Sequence, residues 1–211
     1  MSKPSVLLIN GSPNRDGCTF TALTEVAGQL HDLGIGTKFF HLGKKATHGC
    51  VACRYCKKHG RCVFRGDDPA NKLIDLIAGA DGLIVGSPVY YASPNGALLA
   101  LLDRVFYAGG RHFARKPAAA VVSCRRGGAA TAFDVLNKYF AISQMPIVTS
   151  QYWNSVHGNT PDEVRQDAEG LQVMRTLVRN MAWLIKSLAA AKDTVPAPEK
   201  EAVAHHTNFI R

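Results

Sequence analysis

Apolar runs alternate with amphipathic stretches along most of the chain. Short continuous apolar runs between polar turns are typical of buried parallel strands, whereas apolar residues spaced three and four apart predict helices. The predicted strands are 6–9, 37–42, 82–86, 118–123 and 147–150. The predicted helices are approximately 18–33, 69–78, 95–107, 129–141 and 161–190. This alternation predicts an α/β fold, a doubly wound five-stranded parallel sheet with helices on both faces.

Three polar turns follow predicted strands, at 11–17, 87–92 and 124–128. In doubly wound sheets, ligands bind outside the carboxyl ends of the strands, at the point where the strand order reverses. The three turns should therefore meet at one edge of the sheet and form a single site.

The first of these turns, GSPNRDG, joins an apolar run to an amphipathic helix. Free backbone N–H groups and the positive end of the helix dipole favour an anion at such a position. Ser12 and Thr19 add hydroxyl donors, Asn14 adds an amide and Arg15 adds a positive charge. The stretch is neither a GxGxxG fingerprint nor a P-loop, so a phosphate monoester fits better than a pyrophosphate. An ordinary turn punctuated by Gly and Pro is the alternative.

The segment 44–66 has no clear periodicity and contains four of the six cysteines. Cys50, Cys53 and Cys56 are each three residues apart, and Cys62 follows. Structural zinc is usually held by two separated pairs of ligands, whereas this spacing suits a 4Fe-4S cluster. A zinc site, or free thiols in a loop that binds no metal, are the alternatives.

The same segment is strongly basic. Its cationic residues are accompanied by no Asp or Glu; they are Lys44, Lys45, Arg54, Lys57, Lys58, Arg61 and Arg65. A cluster held by four thiolates carries a net negative charge, which this basic segment would offset. The positive charge would also attract an acidic electron-transfer protein.

Composition and charge restrict the function classes further. The formal net charge of +9 predicts an acidic partner, which could be a phosphorylated cofactor, an acidic redox protein or nucleic acid. Tyr55 and Phe64 are too few aromatics for a nucleic-acid stacking platform in the cysteine segment.

Without an apolar run of membrane-spanning length or a signal peptide, the expected location is cytoplasmic, with reduced or metal-bound cysteines. We expect one domain at 1–192, with the cysteine segment as an insertion, and a tail at 193–211.

Three stretches taken together resemble the iron-sulfur flavoprotein branch of the NAD(P)H-dependent FMN reductases. They are GSPNRDGCT, the stretch 86–104 and the four-cysteine loop between them. The likeness continues through 125–128, through 152–154 and along the last helix. It implies a flavodoxin-like, three-layer α/β/α fold with strand order 2-1-3-4-5.

The resemblance also implies FMN as a cofactor and a role for each matching residue. The residues that would hold the FMN phosphate are Ser12, Asn14, Arg15 and Thr19. Those that would line the isoalloxazine ring are Pro88, Val89, Tyr90 and Asn95. Those that would approach the other edge of the ring are Ser123, Arg125, Arg126 and Gly127. The ligands of a 4Fe-4S cluster would be Cys50, Cys53, Cys56 and Cys62. Cys18 is a departure, because relatives usually carry Asn there.

These features predict an oxidoreductase that receives electrons from NAD(P)H or from an acidic, ferredoxin-like donor. The acceptor would be a small molecule: a quinone, a nitro compound, a metal ion or oxygen. No dedicated catalytic acid or base is expected, because the flavin carries the chemistry. The resemblance implies a homodimer or homotetramer. The alternatives are a non-enzymatic flavin and iron-sulfur electron carrier and, less favoured, a zinc-stabilised basic protein that binds nucleic acid.

Overall fold

The computed structural model, which describes residues 3–198 and 207, contains a mainly parallel sheet with helices on both faces. The strands are β1 Ser5–Asn10, β2 Gly36–His41, β3 Gly82–Tyr90, β4 Ser93–Pro94, β5 Ala118–Cys124 and β6 Ser155–His157. The helices are α1 Cys18–Asp32, α2 Tyr55–His59, α3 Ala70–Ala78, α4 Gly96–Gly109, α5 Ala129–Ile142, α6 Pro161–Gln166 and α7 Ala168–Ala191.

Five of the strands run parallel in the order β2-β1-β3-β5-β6. The short strand β4 pairs antiparallel with the end of β3, so the described part of the chain has six strands and not the predicted five. When β4 is left out and the remaining strands are renumbered along the chain, the order is the predicted 2-1-3-4-5. The doubly wound α/β fold is therefore confirmed. Among the described residues, no helix is long and apolar enough to cross a membrane.

The sheet is covered by two apolar layers, one on each face. Successive side chains of β1 alternate between them: Leu7 and Ile9 pack on the face with α3, α4 and α5, and Val6 and Leu8 on the face with α1 and α7. All four are at most 1% exposed. Burial on both faces explains why this strand has a continuous apolar run.

The predicted position of the fifth strand, 147–150, is wrong. A single bridge joins Ile147 to Ala118, and Val148 N–H donates to Ala118 O at 2.8 Å. The chain then leaves the sheet through the polar stretch TSQYWN and returns as β6. The exposed aromatics of this loop, Tyr152 and Trp153, lie between the two contacts with β5. The edge strand is thus split by the loop.

The predicted last helix is also wrong in one respect, because it is two helices. Asp167 has φ −74° and ψ 78°, which is not helical, and it separates α6 from α7. Its carboxylate accepts from Gly170 N–H at 2.9 Å and from His157 N–H at 2.6 Å. Asp167 therefore caps α7 and ties it to β6. The predicted tail, 193–211, lies largely outside the described residues.

Candidate functional site

A cleft of about 830 Å³ lies at the carboxyl edge of the sheet, where the loops after β1, β3 and β5 meet. The predicted cofactor-binding residues that line it are Ser12, Asn14, Arg15, Thr19, Pro88, Val89, Tyr90, Ser123 and Arg125. Asn95, Arg126 and Gly127 are outside its lining. The structure thus brings together most of the residues that the sequence assigns to one site.

Asn10, the last residue of β1, holds the first turn in shape. It is fully buried, accepts from Ser12 N–H at 3.1 Å and donates through Nδ2 to Arg15 O at 3.0 Å. Ser12 Oγ in turn accepts from Asn14 N–H at 3.1 Å. In the described part of the chain, no side chain caps α1, which begins at this turn. The positive end of α1 is therefore available to an anion in the cleft.

Two buried hydroxyls, those of Thr19 and Ser123, bind each other at the base of the cleft. Their oxygens are 2.8 Å apart, and both residues are at most 4% exposed. A hydroxyl pair uses one of its two hydrogens internally, so the second O–H remains a donor for a ligand. The contact also joins α1 to the end of β5.

Asn95 lies beneath the cleft and connects two of its loops. Its side chain donates to Gly11 O at 2.8 Å and accepts from Ala97 N–H at 3.1 Å, which caps α4. Gly11 is closely packed, because a Cβ there would lie 2.7 Å from Gly86 O. These contacts give Asn95 a part in shaping the first turn, and its direct contact with a flavin ring stays a prediction.

The loop after β3 has an unusual backbone. Tyr91 and Ala92 both have left-handed φ values, 51° and 57°, which non-glycine residues rarely adopt. Tyr91 is fully exposed and Tyr90 is 44% exposed. The third turn packs against this loop, because a Cβ on Gly128 would lie 2.8 Å from Ala92 Cα. The loop after β3 and the loop after β5 are therefore in contact.

The cleft is electropositive. Its lining includes Arg15, Lys44 and Arg125 but one acid, Asp16, among the described residues. The sequence prediction missed Lys44 as a site residue, together with Gly158, Asn159 and Pro161. Gly158, Asn159 and Pro161 follow β6, so the rule that ligands bind at carboxyl ends would have found them if that strand had been placed correctly. Lys44 follows β2, whose position was predicted correctly, and the same rule applied to that strand would have found it.

Two cysteines outside the four-cysteine segment, Cys18 and Cys124, also line the cleft. Burial is the main reason that the pKa of each thiol is raised. Cys18 Sγ lies 3.6 Å from Gly158 O. At neutral pH both side chains are therefore neutral thiols, which is consistent with a packing role.

The four cysteines of segment 44–66 line one small cavity. Cys62 is buried, Cys56 is half-buried, and Cys50 and Cys53 are exposed. The pKa of Cys56 is raised, first by burial and then by the charges of the other three sulfurs. Within residues 3–198 and 207, no three His, Cys, Asp or Glu side chains are placed to hold one metal ion. In a cubane cluster, by contrast, each thiolate binds a different iron.

Cys62 is held from two sides. The side chain of Asn71 accepts from Cys62 N–H at 2.9 Å and donates to Cys62 O at 3.1 Å. Arg104 Nη1 donates to Cys62 Sγ at 3.6 Å and to both carboxylate oxygens of Asp68 at 2.9 Å. Arg104 is 2% exposed, and its guanidinium lies 5.2 Å from the ring centre of Phe64.

Comparisons with known proteins agree with this geometry. Residues 4–160 match the family described as NADPH-dependent FMN reductase. An iron-sulfur flavoprotein of Methanocaldococcus jannaschii is 31% identical over 189 residues, which cover 86% of this chain and 97% of that protein. An iron-sulfur flavoprotein of Archaeoglobus fulgidus is 28% identical, with coverage of 85% and 96%.

Solved structures give the same fold. A flavodoxin, WrbA-like protein from Agrobacterium tumefaciens superposes with a TM-score of 0.61 at 10% identity, covering 88% of this chain and 99% of that one. A flavodoxin from the domain Archaea gives 0.56 at 12% identity, with coverage of 87% and 99%. The flavodoxin-like prediction is thus confirmed. The chain belongs to the NADPH-dependent FMN reductase family of flavoprotein oxidoreductases, in the branch of the iron-sulfur flavoproteins.

Proposed function

We propose that the protein uses FMN and a 4Fe-4S cluster to move electrons from NAD(P)H or a ferredoxin-like donor to a small acceptor. The acceptor would be a quinone, a nitro compound, a metal ion or oxygen. The observation that carries the proposal is the electropositive cleft formed by three loops at the carboxyl edge of the sheet. This position is where flavodoxin-like sheets bind FMN.

The first turn suits the phosphate of FMN. The uncapped start of α1 supplies backbone N–H groups, and Arg15 supplies a full charge beside Ser12 and Asn14. The Thr19–Ser123 pair retains one hydroxyl donor at the base of the cleft. Phosphate monoesters are strong acceptors, so each of these donors would make a charge-assisted hydrogen bond.

The ring of the cofactor would lie along Pro88, Val89 and Tyr90, with Arg125 at the opposite edge. FMN supplies hydride and single-electron chemistry when bound. The protein's part would be orientation and electrostatics. A positive charge near the pyrimidine carbonyls would stabilise negative charge on the reduced ring, and an open cleft would admit a nicotinamide or an acceptor in turn.

The cysteine cavity fits a cluster in its donor set and its surroundings. Four sulfurs line it, and a fixed cation, Arg104, lines it with them. Arg104 Nη2 is buried without a hydrogen-bond partner among the described residues, which is costly unless an acceptor is present. The sulfurs of a cluster would be such an acceptor. The exposed basic residues around this cavity favour an acidic donor protein.

The test begins with a visible spectrum and with iron and sulfide assays on protein purified without oxygen. We expect the visible bands of oxidised flavin, a broad shoulder and about four irons per chain. Flavin bands without iron would indicate an FMN reductase that has no cluster. A protein that stays colourless when FMN is added would contradict it entirely.

Steady-state assays then separate an enzyme from an electron carrier. The enzyme oxidises NADPH or NADH in the presence of a quinone, with ping-pong kinetics. The carrier shows no such oxidation but is reduced rapidly by ferredoxin. Rapid reduction of the flavin by NAD(P)H and also by ferredoxin would mean that the two are alternative electron donors to one flavin.

A further inference from the structure

Arg104 is a buried cation that the predicted flavin chemistry does not use. It lies on α4, within a helix face that is otherwise apolar, between Leu101 and Val105. Burying a charged group is costly unless it is paired, so its environment needs an explanation. Asp68 accounts for part of it, because both carboxylate oxygens accept from Arg104 Nη1.

The pairing with Asp68 leaves two features unexplained. The same Nη1 atom also donates to Cys62 Sγ, the most buried of the four sulfurs in the cavity. Arg104 Nη2 is fully buried with no partner in the described part of the chain. A guanidinium that served just to balance Asp68 would face it with both nitrogens in a bidentate pair. Here Nη2 has no partner among the described residues, and Arg104 lines the cysteine cavity.

We propose that Arg104 sets the reduction potential of the cluster by donating hydrogen bonds to Cys62 Sγ and, through Nη2, to the cluster itself. This inference rests on the proposed 4Fe-4S cluster. Reduction adds one electron, and hence one negative charge, to a group that is already anionic. A fixed cation and its N–H donors stabilise the reduced form more than the oxidised form, which raises the potential.

Asp68 acts through Arg104. It is one-tenth exposed at its side chain, fixes the guanidinium at 2.9 Å and accepts from Ala70 N–H at the start of α3. Asp68 is thus a positioning residue, because it would act on the cluster through Arg104. A purely structural role would make the pair matter for stability and leave the potential unchanged.

The experiment is a redox titration of the anaerobically purified protein, followed by the electron paramagnetic resonance signal of the reduced cluster. We compare the parent with R104Q, which loses the charge. The matched control is R65Q, which removes an exposed arginine of the same segment. Arg65 donates to Tyr55 Oη and, within residues 3–198 and 207, makes no hydrogen bond to a sulfur. Iron and FMN contents are measured for each protein. Where R104Q does not fold, the double variant R104Q/D68N avoids an unpaired buried carboxylate.

The expected result is a midpoint potential that is more negative in R104Q or in the double variant, with FMN content retained and R65Q unchanged. Loss of iron with FMN retained in both R104Q and the double variant would overturn the inference, because Arg104 would then be needed to hold the cluster and not to set its potential. Unchanged iron and potential would overturn it and leave the proposed function intact. A parent protein without iron would overturn the proposed cluster itself.

Discussion

At the scale of single residues, Asn71 connects the cysteine segment to helix α3. Its side chain accepts from Cys62 N–H and donates to Cys62 O and to Phe64 O at 3.1 and 3.0 Å. One amide thus satisfies three backbone groups of an irregular segment. Such groups would otherwise be partly buried without partners, which is destabilising.

Replacement of Asn71 by Ala should therefore lower the free energy of unfolding by about 2 kcal/mol, the order expected when buried backbone groups lose their partners. Urea denaturation of the iron-free protein measures the change. K72A, an exposed neighbour on the same helix, is the control and should change stability by less than about 0.5 kcal/mol. Equal effects of the two variants would contradict the connecting role of Asn71.

The six cysteines differ in burial, and their reactivity should differ accordingly. In iron-free protein at neutral pH, iodoacetamide should modify exposed Cys53 first and Cys124, which is 6% exposed, last. Burial raises the pKa of Cys124 above its ordinary value of 9.0, so its thiolate fraction is smaller. The modification rate at Cys124 should keep rising above that pH. Mass spectrometry of timed samples checks the order, and early modification of Cys124 would contradict it.

The burial of Arg104 could not be predicted from the residue pattern. The apolar stripe of α4 correctly marks Leu98, Leu101, Leu102 and Val105 as buried. Arg104 stands beside that stripe in the sequence and has the appearance of a surface residue. Its burial depends on Asp68 and Cys62, which are 36 and 42 residues away. Pairings of this kind are tertiary and leave no periodic signal.

At the scale of elements, the segment from β6 to α7 shows where periodicity fails. β6 has three residues, too few for a recognisable run, whereas the apolar pair Ile147–Val148 before the loop suggests a strand. The apolar stripe of α7 does predict its buried face, which includes Met174, Leu177 and Met181. The break at Asp167 went undetected because the stripe alone does not reveal a cap.

Asp167 should accordingly be more important than its exposed neighbours. D167A removes the cap of α7 and the acceptor of His157 N–H, so we expect a loss of about 2 kcal/mol. E169A, in the first turn of the same helix and exposed, should cost less than about 1 kcal/mol. Thermal and urea denaturation of the two variants side by side give the comparison. A D167A protein as stable as E169A would mean that the split between α6 and α7 is not maintained by this carboxylate.

At the scale of the whole molecule, topology determines which residues form the site. The first and the last of the three turns predicted to meet are more than a hundred residues apart in the sequence, yet residues of all three line one cleft because parallel strands align their carboxyl ends. The rule correctly predicts that these turns meet at one edge of the sheet. It does not predict which side chains are available to bind a ligand. The side chain of Asn95 is hydrogen-bonded to Gly11 and Ala97. Arg126 and Gly127 do not line the cleft.

The charge of the cleft gives a test of how the cofactor is held. If the first turn binds phosphate, FMN should bind more tightly than riboflavin, and R15Q should weaken FMN binding about tenfold, or about 1.4 kcal/mol, while riboflavin binding changes little. Higher salt should weaken FMN binding in the parent more than riboflavin binding, because it screens the phosphate and the cleft cations.

Fluorescence titration of the FMN-free protein with each flavin measures both affinities. R179Q, an exposed arginine on α7, removes the same charge away from the cleft and should leave both unchanged. An equal loss of affinity for FMN and riboflavin in R15Q would indicate that Arg15 contacts the flavin ring or maintains the fold of the turn. A loss confined to FMN would locate the phosphate at the start of α1, which leaves the rest of the cleft, with Tyr90 and Arg125, for the ring.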